Sequence, residues 1–465
     1  MERKVQVAII GAGTAGINAM SVVREVTDDF VLINGGLLGT TCARVGCVPS
    51  KVMIQIADDF HRRHILATEG IVHGGMLAID LGTALTRVRA VRDQFVGGIV
   101  KDVIEPLGDK FIEGYAEFIE PTLLQVGEMK IRPDKTIIAT GSRPVIPRQW
   151  HRFKDRLLTT DTIFEQNQLP KDMAVIGLGV IGLELGQALA RLGINLTGFD
   201  VLSHIGGVQD PEVNRVAVKS MGEEFPIHLE AEAEIEEAGG RLRVTSGTTS
   251  VLVDKVLLSV GRIPNVDSLR LDRLGLELDS QGLPPFDRKT MQIDALPVFI
   301  AGDVNNYRPV LHETSHEGTV AGYNAVQKSP VGFKRKAALV IAFSDPNICA
   351  VGSSWEEIKD KELAIGTARF DGGREIIMLR DQGIIRVYGD GKNGRLLGAE
   401  MVAPGGEHLA HLLAWSVQQE LTVFDLLAMP FYHPAVEETL HKALEDLASE
   451  VQGGGERPLV GFETV

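Results

Sequence analysis

Two stretches of the chain share one pattern of apolar and polar positions. The apolar run VQVAIIGAGTAG leads into Gly11, Gly13 and Gly16, and the periodic segment INAMSVVREV and a second apolar run ending at Asn34 follow it. The pattern returns later as MAVIGLGVIG, LELGQALARLG and INLTGFD. Short apolar runs bounded by glycine indicate buried strands, and apolar positions three or four apart indicate a helix. Each stretch is therefore predicted to form a strand, a glycine loop, a helix and a second strand.

The second unit carries Gly177, Gly179 and Gly182 and ends at Asp200. In such a unit the first glycine allows a tight turn, the second lets the backbone approach a pyrophosphate, and the third lets the helix pack on the strand. Two copies predict two dinucleotide sites. Asp200 can accept hydrogen bonds from a ribose diol and would repel a 2′-phosphate, which favours NAD at the second site. Asn34 is neutral at the matching position, and it can still bond a ribose.

The rest of the chain predicts a further sheet and a separate C-terminal unit. The stretch EIEEAGGRLRVTSG predicts a hairpin that turns at Gly239 and Gly240, and VFIAGDV predicts a strand ending at Asp303. Beyond about residue 336, LVIAFSDPNICAVG and GIIRVYGD predict strands and EHLAHLLAWSVQQE predicts an amphipathic helix. The expected fold class is α/β, with two Rossmann-like dinucleotide-binding domains and a C-terminal α+β domain.

Composition narrows the setting in which the protein works. The net charge of -15 argues against a nucleic-acid partner, because binding to phosphates needs a basic surface. No stretch reaches the ~18 apolar residues that span a bilayer, so no membrane segment is expected. The first residues lack the apolar stretch of a signal peptide. Three cysteines are too few to form a disulfide framework for a chain of this length. These features together predict a reducing, cytoplasmic location.

Cys42 and Cys47 lie in the segment TTCARVGCVPSK and are open to three interpretations. A zinc site would need more ligands than this single pair offers, and no metal site is expected. Two buried thiols are the second possibility, although that interpretation suits Cys349 better. A disulfide requires a distorted segment, since positions i and i+5 of a regular helix are ~8.7 Å apart and a disulfide needs less than about 7 Å. Gly46 and Pro49 permit such a distortion.

Five segments together resemble one enzyme family. The stretch GGLLGTTCARVGCVPSK is similar to the redox-active segment of the FAD-dependent pyridine nucleotide–disulfide oxidoreductases. The other matching segments fall in the family's order: ATGSRP at 139–144, SVGRIPN at 259–265, AGDV at 301–304 and HPAVEE at 433–438. The resemblance covers nearly the whole chain.

The resemblance implies a role for each matched residue. The first glycine motif and Asp303 would bind FAD, and the second motif would bind the nicotinamide cofactor. Cys42 would exchange with the substrate while Cys47 contacts the flavin. Lys51 would lie near the flavin and pair with Glu184. The matching segments add further cofactor-binding candidates, namely Thr41, Lys51, Gly141, Gly261, Arg262 and Gly302.

The segment HPAVEE would supply the proton chemistry. By the resemblance, His433 is the base and Glu438 the carboxylate that orients it. In the family this pair reaches the flavin site of the other subunit, which implies a homodimer with the C-terminal domain as its interface. The chain departs from the family pattern at Ala435, where Thr is common, and at Glu437, where Ser is common.

Within the family, the resemblance favours the branch that oxidises dihydrolipoyl groups. No cysteine follows Cys349, whereas two other branches carry C-terminal thiols, and Asp200 points away from NADPH. The expected reaction is oxidation of a protein-bound dihydrolipoyl group with reduction of NAD, so a lipoyl-bearing protein would be the partner. A reductase of another small disulfide, such as a glutathione-like thiol, is the alternative. The expected domains are FAD-binding (1–148 and 266–335), NAD-binding (149–265), interface (336–450) and a tail (451–465).

Overall fold

The structure is a computed structural model that describes residues 2–66 and 68–452, so most of the expected tail at 451–465 lies outside the described residues. The strands in chain order are β1 (Glu2–Ile10), β2 (Phe30–Asn34), β3 (Phe111–Glu113), β4 (Ala116–Glu120), β5 (Leu123–Val126), β6 (Met129–Ile138), β7 (Ser142–Pro144), β8 (Leu157–Leu158), β9 (Asp172–Ile176), β10 (Asn195–Phe199), β11 (Ile227–His228), β12 (Ala233–Ala238), β13 (Arg241–Ser246), β14 (Thr249–Val253), β15 (Lys255–Leu258), β16 (Arg262–Pro264), β17 (Val298–Ile300), β18 (Leu339–Ala342), β19 (Asn347–Gly352), β20 (Leu363–Arg369), β21 (Ile384–Asp390) and β22 (Leu396–Ala403). The helices are α1 (Thr14–Val26), α2 (Thr41–Val45), α3 (Cys47–His61), α4 (Arg63–Leu66), α5 (Leu81–Ile99), α6 (Thr160–Ile163), α7 (Val180–Arg191), α8 (Pro211–Gly222), α9 (Leu311–Ala325), α10 (Trp355–Ile358), α11 (Arg374–Ile377), α12 (Gly406–Gln418), α13 (Val423–Leu427) and α14 (Glu437–Glu450).

The first predicted unit forms the centre of a large mixed sheet. Strand β1 lies between β2 and β6 and runs parallel to both, and the distant strand β17 returns to pair with the end of β6. The last four residues of β1 are apolar and buried. Such continuous burial is expected where helices cover both faces of a parallel sheet. The sheet order is β3-β2-β1-β6-β5-β4, in which β4, β5 and β6 form an antiparallel meander.

Helices α1 and α9 pack together unusually closely against this sheet. A Cβ atom at Gly318 would lie 2.3 Å from the carbonyl oxygen of Ala15, and one at Gly322 would lie 2.5 Å from that of Ala19. The two glycines therefore let the backbones meet directly. This contact fixes α9 relative to the first glycine loop, at the start of α1.

The second predicted unit forms a parallel sheet in the order β11-β10-β9-β15-β8. Beside it, β12, β13 and β14 form a small antiparallel sheet. The predicted hairpin is confirmed, because Ala238 pairs with Arg241 across Gly239 and Gly240, which both have positive φ. Positive φ at both turn residues is the requirement of a type I′ turn.

The C-terminal unit is an antiparallel sheet in the order β18-β19-β22-β21-β20, packed against α12 and α14. The strands and the amphipathic helix predicted here are confirmed. Cys349 lies in β19 with no exposed surface, as expected of a core thiol. A Cβ atom at Gly366 of β20 would lie 1.9 Å from the Ala443 carbonyl oxygen, so α14 rests directly on the sheet. The predicted α/β class with an α+β C-terminal unit is confirmed.

The predicted end of the VFIAGDV strand is wrong by three residues. Strand β17 ends at Ile300, and Asp303 begins a 3₁₀ turn. The cause is Gly302, whose φ of +82° leaves the extended region. The bend turns Asp303 away from the sheet, toward the start of α9.

Candidate active site

The two glycine loops have nearly identical geometry. A Cβ atom at Gly16 would lie 1.8 Å from the Gly11 carbonyl oxygen, and one at Gly182 would lie 1.8 Å from that of Gly177. At the middle glycine of the second loop, Gly179, a Cβ atom would meet nothing within 4 Å. The third glycine is therefore required by the packing of the protein itself, whereas the middle one faces open space. That is the shape expected of a loop that admits a pyrophosphate.

The polar residues at the ends of β2 and β10 contact these loops. Asn34 Oδ1 accepts a hydrogen bond from the Ala12 N–H at 3.1 Å. Asp200 Oδ2 accepts one from the Leu178 N–H at 2.5 Å, and its Oδ1 accepts one from the Leu202 N–H at 2.9 Å. Both side chains therefore lie at their glycine loops, where a bound ribose would be within reach.

Matched turns follow β6 and β15 and complete the loops. Gly141 and Gly261 both have positive φ, which glycine adopts without strain. Beside them, Arg262 donates to Ser142 through Nε at 2.8 Å, and Ser142 Oγ donates to Asp303 Oδ2 at 3.2 Å. The hydrogen-bonded chain Arg262–Ser142–Asp303 thus joins the 139–144, 259–265 and 301–304 segments.

The cysteine pair lies at a break between two helices. Helix α2 ends before Gly46, whose φ of -123° and ψ of -116° are not helical, and α3 begins at Cys47. The Thr40 side chain caps α2 by accepting from the Ala43 N–H at 3.1 Å. The predicted distortion is therefore present, and the structure describes Cys42 and Cys47 as free thiols.

The two thiols differ in their readiness to lose a proton. The Cys42 thiol donates to Cys47, and this bond together with burial raises the pKa of Cys42. The same bond, aided by the positive charge of Lys51, lowers the pKa of Cys47 to about 7 against the effect of burial. Near neutral pH the reduced pair therefore holds one proton on Cys42, and about half of the Cys47 thiols are ionised. A thiolate is the reactive form of cysteine.

Lys51 and Glu184 form the predicted ion pair. Lys51 Nζ lies 2.6 Å from Glu184 Oε2, and the Glu184 side chain is only 5% exposed. The other oxygen, Oε1, accepts from the Phe343 N–H at 3.0 Å. The pair therefore joins α3, α7 and the residue that follows β18.

One cleft of about 520 Å³ brings nine of the predicted site residues together. Its lining includes Gly13, Thr41, Cys42, Cys47, Lys51, Gly141, Glu184, Arg262 and Asp303, together with Val180 and Ile181 from the second loop. Gly11, Gly16, Asn34, Gly177, Gly179, Gly182, Asp200, Gly261 and Gly302 lie in or beside the loops that frame it. The buried hydroxyl of Thr160, on the cleft lining, has no partner among the described residues. A concave path from the first loop to the cysteines, with polar atoms left to bond, fits a flavin dinucleotide.

His433 and Glu438 form the predicted pair but stand apart from the cleft. His433 Nδ1 lies 2.8 Å from Glu438 Oε1, and Glu438 Oε2 accepts from the Ala435 N–H at 3.1 Å. The bond from His433, together with the Ala435 N–H, lowers the pKa of Glu438. The His433 side chain is 79% exposed, and within the described residues neither member of the pair lines the cleft of its own chain.

Three residues with evident roles are missing from the predicted site. Ser142 links Arg262 to Asp303, Thr314 Oγ1 donates to Asp303 Oδ1 at 2.8 Å, and Phe343 contacts both Lys51 and Glu184. Ser142 stood inside a matched segment, which was the available signal. Nothing in the sequence around Thr314 or Phe343 marked them.

Comparison with protein families accounts for this arrangement. The family model described as pyridine nucleotide-disulphide oxidoreductase matches residues 5–322, and the model of the same family's dimerisation domain matches residues 339–444. The chain belongs to this family. It is therefore an oxidoreductase with a redox-active cysteine pair, and the cofactors of the family are FAD and NAD.

Similar proteins span the full length of the chain. The dihydrolipoyl dehydrogenase of Haloferax volcanii is 30% identical over 95% of this chain and 96% of its own length. That of Halobacterium salinarum is 29% identical over 94% and 95%. Among solved structures, LpdA from Mycobacterium tuberculosis has a TM-score of 0.83 at 23% identity, covering 95% of this chain and 100% of that one. The HOCl-induced flavoprotein disulfide reductase RclA from Escherichia coli has a TM-score of 0.79 at 21% identity, covering 95% and 98%.

The pyridine nucleotide-disulphide oxidoreductase fold places both cofactor loops and the thiol pair around one cleft. The cleft is lined by residues of the first glycine loop, of α7 in the second unit and of β18 in the C-terminal sheet, so it forms only when these three parts of the chain have come together. None of the described helices is long and apolar enough to cross a membrane.

Proposed function

We propose that the protein oxidises a protein-bound dihydrolipoyl group to lipoyl and reduces NAD, through a Cys42–Cys47 disulfide. The observation that carries this proposal is the thiol pair that shares one proton beside Lys51, in a cleft bordered by both glycine loops. Such a pair suits a disulfide that is opened and closed in each turnover. Full-length similarity to dihydrolipoyl dehydrogenases supports the choice of substrate.

The residues of the chain would act in sequence on the substrate dithiol. The partner's His433, oriented by Glu438, takes a proton from one substrate thiol. The resulting thiolate attacks Cys42 of the disulfide, and Cys47 leaves as a thiolate stabilised by Lys51. The second substrate thiol then attacks the mixed disulfide, its proton passes to the Cys42 thiolate that is released, and the lipoyl disulfide is complete. The substrate has lost two electrons and two protons, and the cysteine pair has gained the electrons.

Residues around the two glycine loops would hold the cofactors that accept these electrons. Bound FAD would supply a two-electron acceptor between the dithiol and NAD. The first glycine loop with Asn34, Thr41, Gly141 and Asp303 would hold the flavin dinucleotide, and the second loop with Asp200 would hold NAD. Lys51 places a positive charge where negative charge develops on reduction.

A homodimer would complete the site. His433 is 79% exposed on its own chain, and the apolar side chains of Trp415 and Tyr432 are 63% and 83% exposed. Trp and Tyr are enriched at protein–protein interfaces relative to the rest of the surface. The match to the family's dimerisation domain supports a second copy as that partner. The domain boundaries expected from the sequence and a cytoplasmic location remain part of this proposal.

Replacing Cys42 with serine tests the proposal. We expect Cys42→Ser to retain FAD and to lose NADH formation from dihydrolipoamide, because the substrate thiolate has no disulfide to attack. Cys349→Ala is the matched control, since that thiol lies in β19 away from the cleft, and it should retain turnover. Turnover by Cys42→Ser at the native rate would refute the mechanism.

Substrate comparison separates the two candidate reactions. The native enzyme should turn over dihydrolipoamide with NAD faster than it reduces glutathione disulfide with either NADH or NADPH. The reverse order would favour reduction of a small disulfide over lipoyl oxidation.

A further inference from the structure

Phe343 contacts the Lys51–Glu184 ion pair in two ways. Its backbone N–H donates to Glu184 Oε1 at 3.0 Å, and its ring centroid lies 4.4 Å from Lys51 Nζ. An ammonium group within about 6 Å of an aromatic ring is attracted to the negative face of the ring. One residue therefore fixes both members of the pair.

The Phe343 ring holds the Lys51 ammonium without adding a negative charge, which Glu184 cannot do. Glu184 holds the ammonium at 2.6 Å, but its own negative charge raises the pKa of Cys47 and so opposes Lys51. The Phe343 ring carries no net charge. It can hold the ammonium in place without cancelling the field that Lys51 exerts on the thiol.

Phe343 links the ion pair to a different part of the fold. Lys51 lies on α3 and Glu184 on α7, whereas Phe343 directly follows β18 of the C-terminal sheet. Lys51 is 36% exposed, so a side chain with four rotatable bonds is ordered chiefly by these two contacts. The C-terminal sheet thus reaches, within its own chain, the lysine that lies one helical turn after Cys47 on α3.

We propose that Phe343 is a positioning residue that holds the Lys51 ammonium beside the cysteine pair, so that the C-terminal unit controls how readily Cys47 ionises. The inference rests on the proposed redox role of the pair. It assigns the C-terminal unit a task in its own subunit, in addition to presenting His433 to the other.

The test replaces the ring and leaves the backbone N–H in place. In Phe343→Leu the ammonium loses its ring contact and moves toward solvent, so the Cys47 thiolate becomes less stable. The reduced holoenzyme, labelled with carbon-13 at cysteine Cβ, is titrated by NMR under anaerobic conditions. We expect the Cys47 midpoint to rise by about half a unit above its native value, a fraction of the one to three units that a nearby opposite charge contributes.

Three variants make the result specific. Phe343→Tyr keeps the ring and should restore the native midpoint. Phe60→Leu removes the ring that lies 3.6 Å from Arg63 at the end of α3, and it should leave the midpoint unchanged. Phe343→Met, which replaces the ring with a large unbranched side chain, is measured as well. The test can then be made even if Phe343→Leu loses FAD or no longer unfolds cooperatively.

A native midpoint in the folded Phe343→Leu or Phe343→Met protein would overturn the inference. So would an equal rise in Phe60→Leu, because the effect would then be a general one of removing an aromatic ring at or beside α3. The titration uses no lipoyl substrate. The inference can therefore fail while lipoyl oxidation holds, and lipoyl oxidation can fail while the inference holds.

Discussion

Replacing Gly182 or Gly179 of the second loop with alanine should affect two different properties, the stability of the fold in one case and nucleotide binding in the other. In Gly182→Ala the new Cβ atom would lie 1.8 Å from the Gly177 carbonyl oxygen, about 1.6 Å closer than the 3.4 Å at which ordinary contact begins. The obstacle is backbone, so α7 must move away from β9 to relieve it. In Gly179→Ala the new Cβ atom would meet nothing within 4 Å.

The expected magnitudes follow from these distances. Overpacking a well-packed interior costs about 1–3 kcal/mol, and each kcal/mol lowers the melting temperature of a domain of this size by about 2–4 °C. Gly182→Ala should therefore melt roughly 2–12 °C below the native protein. Gly179 has φ -66° and ψ -171°, which alanine adopts without strain, so Gly179→Ala should melt at or slightly above the native temperature.

Gly179→Ala should weaken NAD binding although it leaves the folded protein as stable as the native one. The methyl group of Gly179→Ala occupies the space into which a pyrophosphate would fit, so its affinity for NAD should fall while its stability does not. Thermal unfolding and titration with NAD, both on FAD-loaded protein, measure the two quantities. Native NAD affinity in Gly179→Ala, or native stability in Gly182→Ala, would refute this explanation of the loop.

Other variants probe the proton chemistry and the assembly. Glu438→Gln should lower turnover by roughly 10²-fold, because the amide cannot stabilise a charged His433; unchanged steady-state kinetics would contradict this. Burial raises the pKa of Glu400, so the folded chain keeps this proton to higher pH than the unfolded chain does, and stability falls as pH rises above the unfolded value of 4.5. Glu400→Gln should remove the part of the loss of stability with rising pH that Glu400 causes, as measured by the melting temperature across the pH range. A variant with the same pH profile as the native protein would show that Glu400 titrates normally. Turnover per chain should drop on dilution as dimers separate, because His433 does not line the cleft of its own chain, and turnover that is independent of concentration would argue against a shared site.

The parts of the site that the sequence predicted are those built from local segments. Each glycine loop lies within about thirty residues, and the requirement for glycine comes from contacts inside that segment, such as Gly16 with Gly11. The break at Gly46 is likewise local. Spacing and residue type were therefore enough to locate the loops and the distorted cysteine segment.

The parts that were missed depend on pairings between distant segments. Ser142 bonds Asp303 across 161 positions, and Phe343 bonds Glu184 across 159. Such contacts are decided by how the sheets assemble, which no local pattern records. The end of β17 was misplaced because the glycine at 302 bends the chain, and an apolar run alone does not show that bend.

The bonds of Asp200 constrain any redesign of the chain toward NADP. Both carboxylate oxygens already accept backbone N–H groups, one from Leu178 in the glycine loop and one from Leu202. Removing the acid to admit a 2′-phosphate would also release the loop that holds the nicotinamide cofactor. A library should therefore keep a short acceptor such as asparagine at 200. Basic residues belong at Val201 and Leu202, whose side chains are 63% and 49% exposed and can change without disturbing the fold.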